Sequence, residues 1–205
     1  MAKARIAVLV SGGGTNLQAL IDAQRSGIIK SGEIVLVVSN VKSAYALQRA
    51  QEASIETQVV TKKECGSVEA LSQKLIEVID GHDIDLIVMA GFLSILSPAF
   101  TKHYPDRIIN VHPSLIPSFC GDGMYGLKVH EAALAYGVKV TGATVHYVNE
   151  ITDGGKIIFQ KAVEVQDGDT PETLQRRVME QAEWVPLPRA AELVSQRVIE
   201  ERDKA

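Results

Sequence analysis

The feature that most constrains the fold is the alternation of short apolar runs with segments of helical periodicity. The runs at residues 6–10, 34–38 and 85–90 are largely apolar on both faces, which is typical of parallel strands covered by helices on both sides. Residues 44–53 have a helical composition, and residues 68–79 carry an apolar stripe at helical spacing. This order predicts an α/β, Rossmann-like fold with a doubly wound, mostly parallel sheet.

The C-terminal part of the sheet is predicted to be antiparallel. Strands are predicted at residues 108–111 and 139–148, with a short helix at residues 129–136 between them. Residues 156–164 alternate between apolar and polar side chains as an antiparallel strand does.

Two helices are predicted near the C-terminus. Thr170 followed by Pro171 is typical of a capped helix start. Pro186 and Pro188 are expected to interrupt this helix before a last one over residues 190–198.

Composition and charge narrow the classes of function. With 46% hydrophobic and 22% charged residues, the chain is expected to form one globular domain over residues 1–205. A net charge of -4 gives no general attraction to nucleic acid or anionic lipid. Cys65 and Cys120 lack metal-ligand spacing, and the apolar run before Ser11 is too short to span a membrane. We therefore expect a cytoplasmic protein without a nucleic-acid or membrane partner.

A glycine-rich turn joins the first predicted strand to a helix. Its sequence at residues 11–16 is Ser-Gly-Gly-Gly-Thr-Asn, and free backbone N–H groups at a helix N-terminus commonly bind phosphate. The alternative is a tight turn that only needs glycine dihedrals. Leu17 stands where a dinucleotide fingerprint has its third glycine, so a single phosphate monoester fits better than a dinucleotide.

Two polar residues at the end of the strand at 108–111 are candidates for catalysis. Asn110 and His112 are two apart, so they project from one face where strand gives way to loop. That edge of an α/β sheet is where ligands usually bind. An amide beside an imidazole suggests a donor for a developing oxyanion and a proton carrier.

Other features are open to more than one interpretation. The apolar turn at residues 91–98 either plugs the core or binds a flat aromatic ligand. Cys120, in a glycine-rich segment expected to be mobile, is interpreted as an inert thiol rather than a nucleophile. His146 is interpreted as a packing histidine, and His130 has no companion that singles it out.

Together these motifs resemble those of the phosphoribosylglycinamide formyltransferases, folate-dependent enzymes of purine synthesis. The resemblance covers nearly the whole chain. It rests on residues 11–16, on Ala-Gly-Phe-Leu-Ser-Ile-Leu at 90–96, on Ile-Asn-Val-His-Pro-Ser-Leu-Ile-Pro at 109–117, and on Asp153 with its two following glycines. It implies glycinamide ribonucleotide and 10-formyltetrahydrofolate as substrates and no metal.

The resemblance also implies roles for single residues. Residues 1–100 would form the half that binds the nucleotide phosphate, and residues 101–205 the folate and catalytic half. The implied catalytic residues are Asn110, His112 and Asp153. The implied substrate-binding residues are Gly14, Thr15, Asn16 and Glu183, and the implied folate-binding residues are Leu93, Ser94, Ile95, Leu96 and Asn110.

The implied reaction is attack of the glycinamide amine on the formyl carbon that N10 of the folate carries. Asn110 and protonated His112 would stabilise the oxyanion, and Asp153 would keep His112 charged and assist proton transfer. The alternatives are a formyl-folate hydrolase, with water as acceptor, a tRNA formyltransferase, and a non-catalytic nucleotide-binding regulator. The regulatory segment typical of the hydrolase and the added domain of the tRNA enzyme are not expected here.

Overall fold

One mixed sheet carries the residues of the candidate site. The computed structural model describes residues 2–204, so Met1 and Ala205 of the predicted domain lie outside it. The strands are β1 (Ala4–Val10), β2 (Gly32–Ser39), β3 (Glu56–Val59), β4 (Leu86–Met89), β5 (Ile108–His112), β6 (Val140–Tyr147) and β7 (Ile157–Glu164). The helices are α1 (Thr15–Arg25), α2 (Tyr45–Glu52), α3 (Lys62–Cys65), α4 (Val68–Asp80), α5 (Pro98–His103), α6 (Leu127–Tyr136), α7 (Pro171–Val178) and α8 (Pro186–Arg202).

The sheet changes from parallel to antiparallel after β5. Its seven strands have the order β3-β2-β1-β4-β5-β6-β7. The pairs from β3 to β5 are all parallel, whereas β6 runs antiparallel to both β5 and β7. The predicted doubly wound sheet with an antiparallel C-terminal part is confirmed. Because β1, β4 and β5 are parallel neighbours, their carboxyl ends meet at one edge of the sheet.

Helices cover the sheet on both faces. In β1, Val8 belongs to a hydrophobic cluster that includes Leu17 of α1 and Val194 of α8. The next residue, Leu9, belongs to a second cluster with Leu75 of α4 and other apolar side chains. Both β1 side chains are fully buried, which explains why the strand is apolar at consecutive positions.

The C-terminal helices differ from the prediction. α7 passes into a π-helical turn, Met179–Glu183, and α8 begins at Pro186. The predicted interruption is present at residues 184–185, but Pro186 and Pro188 lie in the first turn of α8, which begins before the expected residue 190. The N–H groups of a helix's first turn have no intrahelical acceptor. A proline in that turn therefore removes no helical hydrogen bond.

A partly buried ion pair fixes the start of α7. The Arg177 guanidinium donates to Asp169 through Nη2 at 2.7 Å, and the Gln166 N–H donates to the same carboxylate at 2.8 Å. The side chain of Thr170 caps the helix by accepting from the Thr173 N–H. The bond from Arg177 is the main reason that the pKa of Asp169 lies well below its usual range, although burial opposes this shift.

Asp169→Asn is expected to lower the free energy of unfolding at pH 7 by about 1–3 kcal/mol, because Arg177 would lose its charged partner. The folded-state pKa of Asp169 is below the unfolded one, so this stabilisation is present above the unfolded value. It is lost as the pH falls, so the difference between wild type and variant should shrink below about pH 4. Thermal unfolding measured from pH 7 down to pH 3 tests both statements.

Asp167→Asn is the matched control. The Asp167 side chain is fully exposed and lies 3.9 Å from Lys139. Its replacement should change stability little. Equal destabilisation by the two substitutions would contradict the role given to Asp169.

Candidate active site

The C-terminal end of β5 lies at the site. Asn110 and His112 are two residues apart there and project from the same face of the strand. In the antiparallel pairing with β6, Asn110 lies opposite His146, and His112 lies opposite Thr144. The Thr144 hydroxyl donates to the carbonyl oxygen of Ser114 at 2.7 Å. This bond holds the loop that follows His112 against β6, so the position of the imidazole is fixed by both strands.

The turn between β6 and β7 brings Asp153 to the same face. A Cβ on Gly155 would lie 1.7 Å from the carbonyl oxygen of Tyr147, so only glycine allows the turn to pass this close to β6. Asp153 Oδ2 lies 3.5 Å from His112 Nδ1, and both side chains are buried. The predicted approach of this carboxyl group to the imidazole is confirmed.

A backbone contact determines which nitrogen of His112 carries a fixed proton. His112 Nε2 lies 2.9 Å from the carbonyl oxygen of Phe119. Because a carbonyl oxygen only accepts hydrogen bonds, Nε2 is the protonated nitrogen in the neutral imidazole. Nδ1 is therefore the nitrogen that can gain or lose a proton, and it faces Asp153.

The surroundings of Asp153 keep it ionised. Burial is the largest single influence on its pKa and acts to raise it. The His146 ring, the Gly121 N–H at 2.9 Å and the charge of His112 together outweigh burial, so the pKa of Asp153 lies below its ordinary value. A carboxylate is thus available at neutral pH beside His112 Nδ1.

Cys120 lies in the segment that covers this carboxylate. Burial, together with the charge of Asp153, raises the pKa of the Cys120 thiol. The thiol is therefore protonated at neutral pH and a poor nucleophile, which supports its interpretation as an inert loop residue.

The glycine turn lies at the carboxyl end of β1 and opens α1. Gly14 has a φ of 72°, and a Cβ there would lie 2.6 Å from the Cβ of Ala46. Within residues 2–204, no hydrogen-bond acceptor is bonded to the backbone N–H groups of Gly13 and Gly14. Arg49 braces the turn from outside, with its Nε donating to the Gly13 carbonyl at 2.8 Å. The turn thus needs glycine dihedrals and also has free donors at a helix N-terminus, which is suited to an anion.

Asn16 and Glu183 meet across the molecule. Asn16 Nδ2 donates to Glu183 Oε2 at 2.6 Å, and the Thr15 hydroxyl lies 3.8 Å from the sulfur of Met179. Burial raises the pKa of Glu183, and the bond from Asn16 opposes that rise. Among the described residues, the buried Oδ1 atom of Asn16 has no hydrogen-bond partner. A perturbed carboxyl group beside an unpaired acceptor is typical of a ligand site.

The apolar turn after β4 has two kinds of side chain. Phe92 is buried in the core cluster on one face of the sheet, and Leu96 packs against that cluster. Leu93 and Ile95 are 64% and 74% exposed. The turn was expected either to plug the core or to bind a flat aromatic ligand. Each alternative applies to different residues, because Phe92 and Leu96 pack in the core and Leu93 and Ile95 remain available to a ligand.

Hydrogen bonds tie this apolar turn to neighbouring loops. The Leu93 N–H donates to the hydroxyl of Ser11 at 2.8 Å, and the Asn40 amide donates to the hydroxyl of Ser94 at 2.6 Å. The turn is thereby anchored to the end of β1, directly before the glycines.

Sequence reasoning missed two histidines close to the site. His146 is buried, with Nε2 at 3.2 Å from Asn110 Nδ2 and 3.6 Å from Asp153 Oδ1. His130 is fully buried, and burial and the charge of His112 lower its pKa to about 4. The signal for His146 was its position opposite Asn110, which depends on the register between β5 and β6 and is not visible in either strand alone.

Two kinds of feature are absent from residues 2–204. No cluster of three or more His, Cys, Asp or Glu side chains there is arranged to hold a metal ion. None of the helices in this range is both long and apolar enough to cross a membrane.

Glu183→Gln is expected to raise the free energy of unfolding at pH 7 by on the order of 1 kcal/mol, because it removes a carboxyl group whose ionisation burial disfavours. The raised folded-state pKa of Glu183 means that wild-type stability is greatest below the unfolded value and declines as the pH rises above about 4. The variant should lack this decline. Thermal unfolding between pH 4 and pH 8 measures the difference.

The exposed Glu180 lies in the same π-helical turn and supplies the control. Glu180→Gln should leave the pH dependence of unfolding unchanged. If it removed the decline as Glu183→Gln does, burial of Glu183 would not be the cause.

Comparison with known proteins identifies the family. Residues 4–190 match the family model described as formyl transferase. The trifunctional purine biosynthetic protein adenosine-3 of Gallus gallus is 45% identical over 193 residues, which are 94% of this chain and 18% of that protein. This chain thus spans about 18% of the length of that relative.

Similar proteins of comparable length give the same result. The phosphoribosylglycinamide formyltransferase of Escherichia coli (strain K12) is 43% identical over 176 residues, covering 86% of this chain and 80% of that protein. The crystal structure of glycinamide ribonucleotide transformylase 1 from Symbiobacterium toebii has a TM-score of 0.89 at 38% identity, covering 95% of this chain and 89% of that one. On its sequence and on its fold, this chain belongs to the formyl transferase family of enzymes.

Proposed function

We propose that the chain transfers the formyl group of 10-formyltetrahydrofolate to the amine of 5'-phosphoribosylglycinamide, a reaction of purine synthesis. The observation that carries this proposal is the 3.5 Å approach of Asp153 Oδ2 to His112 Nδ1 beside Asn110. An acyl transfer between nitrogens needs a group that moves a proton and a donor for the oxyanion. The name of the Escherichia coli relative supports this choice of substrates.

The spacing of the strands supports a site that holds both substrates. The glycine turn follows β1, the apolar turn follows β4, and Asn110 and His112 end β5. These strands are consecutive neighbours in the sheet. Adjacent strands are about 4.8 Å apart, so the phosphate site and the reacting centre would be separated by roughly 10 Å. A phosphoribosyl group can span that separation.

The ribonucleotide would bind at the glycine turn and beside the pair formed by Asn16 and Glu183. The N–H groups of Gly13 and Gly14, with the Thr15 hydroxyl, would donate to the phosphate. The unpaired Oδ1 of Asn16 and the carboxyl group of Glu183 would accept from sugar hydroxyls. This assignment gives each buried polar group a partner that matches its chemistry.

The folate would bind at the apolar turn and beside Asn110. 10-Formyltetrahydrofolate supplies a formyl group on N10. The exposed side chains of Leu93 and Ile95 offer apolar contact to a flat ring, and the segment through Ser94 and Leu96 is held rigid by its hydrogen bonds and by the core.

Catalysis would proceed by direct transfer. A bond forms between the amine nitrogen and the formyl carbon, the bond from that carbon to N10 breaks, and one proton passes from the amine to N10. Asn110 and protonated His112 stabilise the negative charge that develops on the formyl oxygen. The ionised Asp153 faces His112 Nδ1 and, directly or through water, helps to move the proton between the two nitrogens.

A single assay separates this function from its rivals. Purified protein is incubated with both substrates, and the formylated ribonucleotide and free formate are quantified. The expected result is formyl transfer with little formate. Formate release as the main reaction would instead indicate a hydrolase, and binding of the ribonucleotide without turnover would indicate a regulator.

His112→Ala and Asp153→Asn are each expected to lower kcat by about 10²–10³-fold while the KM for the ribonucleotide changes by less than about threefold, because both residues act on the transition state. Steady-state kinetics with each substrate varied measures this. His103→Ala is the control, because His103 is exposed and pairs with Asp80 at 2.9 Å. Comparable changes in kcat and KM in the two site variants would argue against the proposed roles.

Gly14→Ala is expected to raise the KM for the ribonucleotide by about tenfold or more, because the added methyl group would push the turn away from Ala46 and displace its N–H donors. Gly27→Ala is the control. Gly27 has a similar φ of 77°, but no atom lies within 4 Å of its added Cβ. Both variants should lose stability, whereas only Gly14→Ala should lose affinity. Ligand-detected titration with the ribonucleotide and thermal unfolding separate the two effects.

A further inference from the structure

We propose that His146 is a positioning residue that orients the Asn110 amide for formyl transfer. This inference rests on the proposed function and adds a residue to the implied catalytic trio. It stands on the cross-strand register, in which Asn110 of β5 lies directly opposite His146 of β6. Opposite side chains on one face of an antiparallel pair are within contact distance, and here the two polar groups approach to 3.2 Å.

The pairing of β6 with β7 is irregular beside His146. The pairing of β6 with β7 shifts between Val145 and His146, at a β-bulge. Bulges are frequent beside active sites, where they change the direction of a side chain. The extra residue, Ile158, is on β7, and the shift leaves His146 paired with Ile157 at the end of β7 that follows the Asp153 turn.

A backbone carbonyl fixes the tautomer of His146. Its Nδ1 lies 2.7 Å from the carbonyl oxygen of Tyr147, which can only accept, so Nδ1 carries a proton. In the neutral ring, Nε2 is then a hydrogen-bond acceptor. The group that faces it at 3.2 Å is the Nδ2 amide of Asn110, which donates.

This bond defines the orientation of the Asn110 amide. One N–H of Asn110 is directed at His146, so the amide cannot turn its oxygen toward that nitrogen without placing two acceptors together. The second N–H stays available as the oxyanion donor. Asp153 Oδ1 lies 3.6 Å from the same nitrogen, farther away than Asn110 Nδ2, so Asn110 is the nearer partner of His146 Nε2.

The test compares two substitutions at position 146. The glutamine amide reaches as far as Nε2, so His146→Gln retains an acceptor for Asn110. Asparagine reaches only as far as Nδ1, so His146→Asn retains a donor for Tyr147 but no acceptor for Asn110. His146→Asn is expected to lower kcat by about 10- to 100-fold, less than the loss of an oxyanion donor itself, with both KM values within about threefold of wild type. His146→Gln should remain within about threefold of wild-type kcat.

A double-mutant cycle distinguishes positioning from structural support. If His146 acts through Asn110, then adding His146→Asn to an Asn110→Ala variant should change kcat by less than about twofold. Val145→Ala is the control for loosening of β6, since Val145 is fully buried on the opposite face of the strand. It should lower the Tm and leave kcat unchanged.

Each failure has its own signature. A wild-type chain without formyl transfer would overturn the proposed function, and this role with it. In an active chain, equal kcat for His146→Asn and wild type would overturn only the positioning role. The same conclusion would follow from equal losses in the presence and absence of Asn110, or from a matching loss of kcat in Val145→Ala.

Discussion

The site depends on the contacts that stabilise the buried carboxylate of Asp153. A charge removed from water is strongly disfavoured unless hydrogen bonds and opposite charges compensate for it. Here the compensation comes from the Gly121 N–H and from the neighbouring His112 and His146 rings. These partners belong to the loop after β5, to β5 itself and to β6. Asp153 therefore joins three segments of the chain. The same contacts determine the geometry of the site and stabilise this part of the fold.

Close backbone approaches place the groups that surround this carboxylate. Gly155 allows the turn before β7 to contact β6 at Tyr147, and without that contact the Asp153 side chain would not reach β5. Gly14 allows the turn after β1 to pack on Ala46 in the same manner. Both glycines lie in turns beside strand ends, where ligands bind in α/β folds. The rigid sheet fixes the separation between the turns, and the turns determine which polar groups face the space between them.

How far the sequence predicts the fold depends on the range of the interaction. Apolar periodicity within a few residues predicts β1, β2, α4 and β4, because burial on one or both faces leaves a local pattern. Pro186 was misassigned because the same residue that breaks a helix interior is favoured in a first turn, and only the surrounding structure decides between these positions. The π-helical turn at Met179–Glu183 likewise has no local signature that separates it from an α-helix.

The site is less predictable because its contacts join distant segments. The two-residue spacing of Asn110 and His112 follows from strand geometry alone. The action of Asp153 on His112, and the binding of one substrate by both Asn16 and Glu183, were expected only through a resemblance to known enzymes, and the contact between Asn16 and Glu183 was not predicted. His146 was missed because its position opposite Asn110 depends on the register between β5 and β6, which neither strand shows alone. The Phe119 carbonyl contact, which fixes the His112 tautomer, comes from main chain and leaves no trace in side-chain patterns.

The polar groups around Asn16 and Glu183 are best explained by a ligand that completes them. A buried acceptor without a partner and a buried carboxyl group that resists ionisation both lower the stability of the unliganded fold. Natural proteins keep such features chiefly where function requires them. A sugar hydroxyl can donate to either oxygen, so binding would remove the local cost and add to affinity. Under the proposed function, these oxygens would accept hydrogen bonds from sugar hydroxyls of the ribonucleotide, while the glycine turn would bind its phosphate.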